Sequence, residues 1–80
     1  MERKVKMIWD FRGQGAQHTA EHHKIHLEEY ALAELLAYDL AGVEQFGEFH
    51  SIAFMVVDES KLPALRETLK PHRGQWYTDH

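Results

Sequence analysis

Residues 50–57, His-Ser-Ile-Ala-Phe-Met-Val-Val, are apolar at both parities: Ile52, Phe54 and Val56 on one side, Ala53, Met55 and Val57 on the other. A short run so rich in β-branched and bulky residues reads as a strand, and a strand apolar on both sides belongs in the middle of a sheet, covered on both faces. Few small folds provide such a place. With 80 residues in all, the chain has room for a single domain, 1–80, whose other elements must flank or cover that strand.

Those elements follow from periodicity and punctuation. Residues 4–12 alternate, with Val5, Met7, Trp9 and Phe11 against Lys6, Ile8, Asp10 and Arg12, which predicts a strand. Gly13 and Gly15 break it for turn geometry, and residues 17–38, free of Gly and Pro, predict a long helix. At 100° per residue, Ala16, Ala20, His23, Leu27, Tyr30 and Ala31 share one stripe. His18, His22, Ile25, Glu29, Leu32 and Leu36 lie roughly opposite, so the helix has two apolar stripes and calls for two packing partners. Residues 40–46 and 49–57 form two strands around a Gly47-Glu48 turn. Capping residues at 58–60 then introduce a helix with Leu62, Leu65 and Leu69 on one stripe and Pro63 in its first turn. Pro71 and Gly74 end it, and residues 75–78 make a last strand with Trp76 and Tyr77 on opposite faces.

The order is βαββαβ, an α+β, ferredoxin-like arrangement: a four-stranded antiparallel sheet, first and third strands central, both helices on one face. The other face then carries Ile8 and one apolar parity of the third strand. A monomer left with that patch in water is unfavourable, so a homodimer is expected.

Composition excludes several classes. There is no cysteine, hence no disulfide, thiolate metal site or cysteine nucleophile. Nine Lys and Arg against thirteen Asp and Glu, with no basic block, argue against nucleic acid. No apolar run approaches the ~18 residues of a membrane span, and residues 1–5 lead into the alternating strand rather than a signal segment, so a soluble, cytoplasmic chain is expected. Histidine is the one excess: seven are present, and protonating all of them would carry the formal charge from −4 to +3.

In element order, size and doubly apolar central strand, the chain resembles stand-alone ferredoxin-like proteins of the dimeric α+β barrel type, including the YCII-related and small monooxygenase-like families. The likeness is architectural. It implies a homodimer packed sheet face to sheet face, with a ligand or reactive groups in the cleft between the sheets or between sheet and helix.

Three clusters could carry chemistry. His22 and His26, four apart on the helix, stand one turn from each other, as two ligands of a divalent zinc, nickel or copper ion would. Glu29, His50, Asp10 or a partner subunit would have to supply the third ligand, and the plainer reading is a solvated helix face. His23, on the inner stripe, is expected to be a partly buried, hydrogen-bonded structural residue. Asp10 and Arg12 share a parity at the end of the first strand, and Asp10 with His22 or His50 would make an acid–base pair; a salt-bridged strand end is the structural alternative. Arg73 with Trp76, joined by Trp9 and Arg12, could clamp a small anionic or aromatic ligand. Against that, basic groups at a helix C-terminus and an interface tryptophan need no ligand. The reading is a homodimer that binds a small ligand or metal at a histidine-rich site. The alternatives are a cofactor-free enzyme and an interaction module without a ligand site.

Overall fold

A computed structural model describes residues 3–78. Its elements are β1 (Lys4–Arg12), α1 (Ala16–Ala33), β2 (Leu40–Gly47), β3 (His50–Asp58), a single 3-10 turn (Glu59–Lys61), α2 (Leu62–Leu69) and β4 (Arg73–Tyr77). The sheet order is β2-β3-β1-β4 with every neighbouring pair antiparallel. This is the ferredoxin-like α+β fold, with the doubly apolar strand central and residues 51–57 buried throughout.

Alternation divides the apolar residues between the two faces. Met7, Trp9, Met55 and Val57 face the helices and pack with Leu27 and Ala31 of α1 and Leu65 of α2. The inner stripe of α1 is the expected one: Ala16, Ala20, Leu27 and Ala31 are all buried. On the opposite face, Ile8, Ile52, Phe54 and Val56 form a second cluster, with Tyr77 packed against it.

That second face departs from expectation, because its apolar residues are not exposed. Ile8, Ile52, Phe54 and Val56 are buried within the single chain. Long polar side chains from the same face cover them. The Lys6 ammonium lies 4.3 Å from the centroid of the Phe54 ring and 2.8 Å from Glu44 Oε1. The large apolar residues that do meet water lie elsewhere, among them Ile25, Leu32 and Leu35, and Phe46 and Phe49 at the hairpin.

Two boundaries also differ. The long helix ends at Ala33 rather than 38, because the chain closes it with a Schellman turn: Leu36 N–H donates to Ala31 O at 2.8 Å and Leu35 N–H to Leu32 O at 3.3 Å. Leu35 takes the left-handed position with φ 54°, and Leu36 folds back onto the helix-side core instead of extending the outer stripe. At the other end of the chain, β4 begins at Arg73, two residues earlier than expected, with Gly74 inside the strand. His72 N–H donates to Ile8 O at 2.9 Å, which starts the ladder early. Asp58 caps nothing with its side chain; its carboxylate instead meets the Lys4 ammonium at 2.6 Å.

Candidate functional site

The register brings together three polar side chains on the helix-free face. Asp10 on β1 stands opposite Ile52, and His50 stands opposite Arg12, so Asp10 and His50 are diagonal neighbours across β1 and β3. Arg73 stands opposite Ile8 and is diagonal to Asp10 from the other side. His50 Nε2 lies 2.9 Å from Asp10 Oδ1, and Arg73 donates from Nε and Nη2 to Asp10 Oδ2 and Oδ1 at 2.9 and 3.1 Å. The Asp10 side chain is only 17% exposed and that of His50 24%.

Charge then assigns protons. The Arg73 hydrogen bonds are the main reason the Asp10 carboxyl is pushed down to about 2 from its ordinary 3.8; burial opposes the shift and His50 adds to it. An ionised carboxylate only accepts, so His50 must present Nε2–H to it, and in the neutral ring Nδ1 carries the lone pair. The Phe46 ring lies 5.4 Å from the His50 ring between centroids and flanks the imidazole. Phe46 is available for that because a register shift between Gln45 and Gly47 leaves it out of the ladder.

No protein-family model, curated protein or solved structure matches the chain. What its site can do must therefore be argued from these side chains.

Of the residues expected to act, Asp10 and His50 do meet, and Arg73 joins them. His22 does not: it lies on the exposed side of α1, across the sheet from Asp10, with its ring 4.4 Å from that of His18. His26 is exposed on the same helix, and among the described residues no group of three or more His, Asp or Glu side chains is arranged to hold a metal. Asp10 and His50 cannot complete a His22/His26 site, since both lie on the face away from α1. Arg12 shares the parity of Asp10 as expected, but the carboxylate pairs with Arg73 instead. Trp9 is core, with its indole N–H donating to Leu69 O at 3.0 Å. Arg73 and Trp76 line one groove, but Arg73 is taken up by Asp10. Three positions apart on a strand, they point to opposite faces.

His23 is half-buried as expected, against the rings of Trp9 and Phe11, but its Nε2 has no hydrogen-bond partner among the described residues. His72 is the histidine that spacing did not single out. The backbone N–H of Asp10 donates to its Nδ1 at 2.9 Å, so the ring caps the edge of β1 just beyond the end of β4. Its position two residues past the Lys70 turn, next to Pro71, was the only available signal.

Proposed function

We propose that the chain is a homodimeric ligand-binding protein that takes a small organic molecule at His50, on the helix-free face of the sheet. The observation that carries this reading is the Asp10 carboxylate bonded to both His50 and Arg73, beside the buried Ile8 and Ile52. Solubility alone does not call for a carboxylate sunk among apolar side chains and held there by two partners. With Nε2–H committed to Asp10, His50 offers Nδ1 to a hydroxyl or other weakly acidic group of the ligand, and Phe46 supplies an aromatic wall. A homodimer accords with the exposed Ile25, Leu32 and Leu35 along the outer side of α1 and its end.

The same arrangement favours a second reading, proton transfer without a cofactor. A neutral imidazole fixed by a carboxylate is a general base whose protonated form that carboxylate stabilises. Arg73 keeps Asp10 ionised for this task.

The test is a panel of phenols and hydroxy acids followed in 1H–15N spectra. Members that bind are expected to shift the His50 imidazole and Arg73 side-chain signals. His50→Gln should abolish the shift, and Asp10→Asn should weaken binding about tenfold, the scale of one charge-assisted hydrogen bond. A panel that leaves His50 unmoved, or binding that survives His50→Gln, overturns the reading.

A further inference from the structure

The α2 end of the sheet holds a concavity whose lining shares Arg73 with the Asp10 cluster. Between α2 and the edge strand β4 runs a groove of about 470 Å³. Val5, Leu62 and Pro71 give it an apolar lining, and Arg66, His72 and Trp76 give it chemistry. No acidic side chain lines it. Trp76 is 57% exposed, although its neighbour across the ladder, Val5, is buried.

Of the cations here, Arg73 is spent on Asp10 and Arg3 and Arg66 are not. The Arg3 guanidinium carbon sits 5.0 Å from the Trp76 ring centroid, stacked rather than ion-paired. Neither Arg3 nor Arg66 has a carboxylate within 4.0 Å among the described residues, whereas Lys4, Lys6 and Arg73 all do. His72 adds a donor. Because its Nδ1 accepts from the Asp10 backbone, the ring's N–H is on Nε2.

We propose that this groove binds a planar aromatic anion, its ring against the indole of Trp76 and its carboxylate or phosphate on Arg66, with Arg3 adding charge from across the indole. An aromatic face beside a guanidinium serves both halves of such a ligand, since the ring needs a flat apolar surface and the anion a fork of N–H donors. The volume is that of a single small-molecule site, in the usual range of roughly 300–1,000 Å³. A peptide strand is the poorer match, because β4 offers an edge only five residues long. The groove shares Arg73 with the His50 site, but its recognition groups are Trp76 and Arg66, and each site can fail without the other.

The two tryptophans make the test direct. The full chain is titrated with 1-naphthoate, 1-naphthyl phosphate and uncharged 1-naphthol, and both indole N–H signals are followed in 1H–15N spectra. Both anions should shift the Trp76 signal saturably and leave that of Trp9 in place, since Trp9 is buried and bonded to Leu69 O. The tighter of the two identifies the preferred anionic group. Arg66→Gln, an exposed change, should weaken both anions about tenfold or more. Trp76→Leu, read by calorimetry, should remove binding, and His18→Ala, an exposed change on α1, should leave it unchanged. The proposal is overturned if neither anion shifts Trp76, if Arg66→Gln binds as tightly as the unchanged chain, or if 1-naphthol shifts the Trp76 signal at concentrations as low as the anions do.

Discussion

His23 shows how one side chain couples the core to pH. Its ring centroid lies 5.0 Å from that of Trp9 and 5.4 Å from that of Phe11, and its Nε2 is buried without a partner among the described residues. Burial is the main cause that holds its pKa below the ordinary 6.5, with His26 and His72 adding repulsion. The unfolded chain takes up that proton near 6.5 while the folded chain resists it. His23 therefore leaves stability intact above about pH 6.5 and erodes it as pH falls from there towards the lowered folded value. The urea midpoint of the unchanged chain should accordingly drop more between pH 7.5 and pH 5 than that of His23→Leu, which has nothing to protonate at this position. Equal drops would show that the imidazole is not penalised in the folded state. Helical spacing alone put His23 on the inner stripe. Its missing partner was not legible, because that depends on which atoms of β1 lie beneath the ring, and here they are two aromatic side chains.

At the scale of elements, β2 owes its place to a glycine. The Phe54 ring of β3 lies across Gly42, so close that a Cβ there would come within 2.8 Å of the ring's Cζ. The ring is in turn capped by the Lys6 ammonium, which Glu44 of β2 holds. Gly42→Ala must therefore push the ring tip outward and disturb the Lys6 and Glu44 pair, at a cost of about 1–3 kcal/mol in unfolding free energy. Phe54→Leu removes the clashing ring tip, so the double variant should lose less than the sum of the two single changes, by at least about 0.5 kcal/mol in a denaturation cycle. Simple additivity would mean that the ring does not rest on Gly42. Alternation and the doubly apolar third strand made all four strands and their order legible, since period two survives any tertiary context that buries one face. The end of α1 was not, because Leu35 and Leu36 are good helix formers, and only the pull of Leu36 into the core turns the chain at Leu35. His50 was legible as a partner of Asp10, but Arg73 was not, for a related reason. A last strand begun at 75 leaves Arg73 outside the ladder, and only the bond from His72 N–H to Ile8 O brings it opposite Ile8 and within reach of the carboxylate.

For the whole molecule, the question is which surface a second copy would cover. The helix-free face already has its own cover of paired charges, Lys6 with Glu44 and Arg73 with Asp10. Burying that face would mean stripping water from those ions, which offsets much of the gain. On α1 the Lys24–Glu28 pair leaves the apolar residues open: Leu32 is 78% exposed and Leu35 90%, and Ile25 and Tyr38 are exposed as well. Leu35 moreover occupies a left-handed position at φ 54°, where glycine is the unstrained choice, and its side chain touches little in return. A large apolar residue held at a strained, exposed site has no use within the single chain, and a contact between copies of α1 would give it one. Sedimentation equilibrium at tens of micromolar should then return twice the 9.4 kDa of one chain. Leu32→Glu should return the single mass, because two carboxylates would meet across the twofold axis. Leu35→Gly should separate the two contributions: it relieves about 1 kcal/mol of backbone strain in each chain, yet weakens association. A mass of 9.4 kDa for the unchanged chain overturns the dimer. A dimer that tolerates Leu32→Glu but is split by Lys6→Glu would instead put the contact on the helix-free face, over His50.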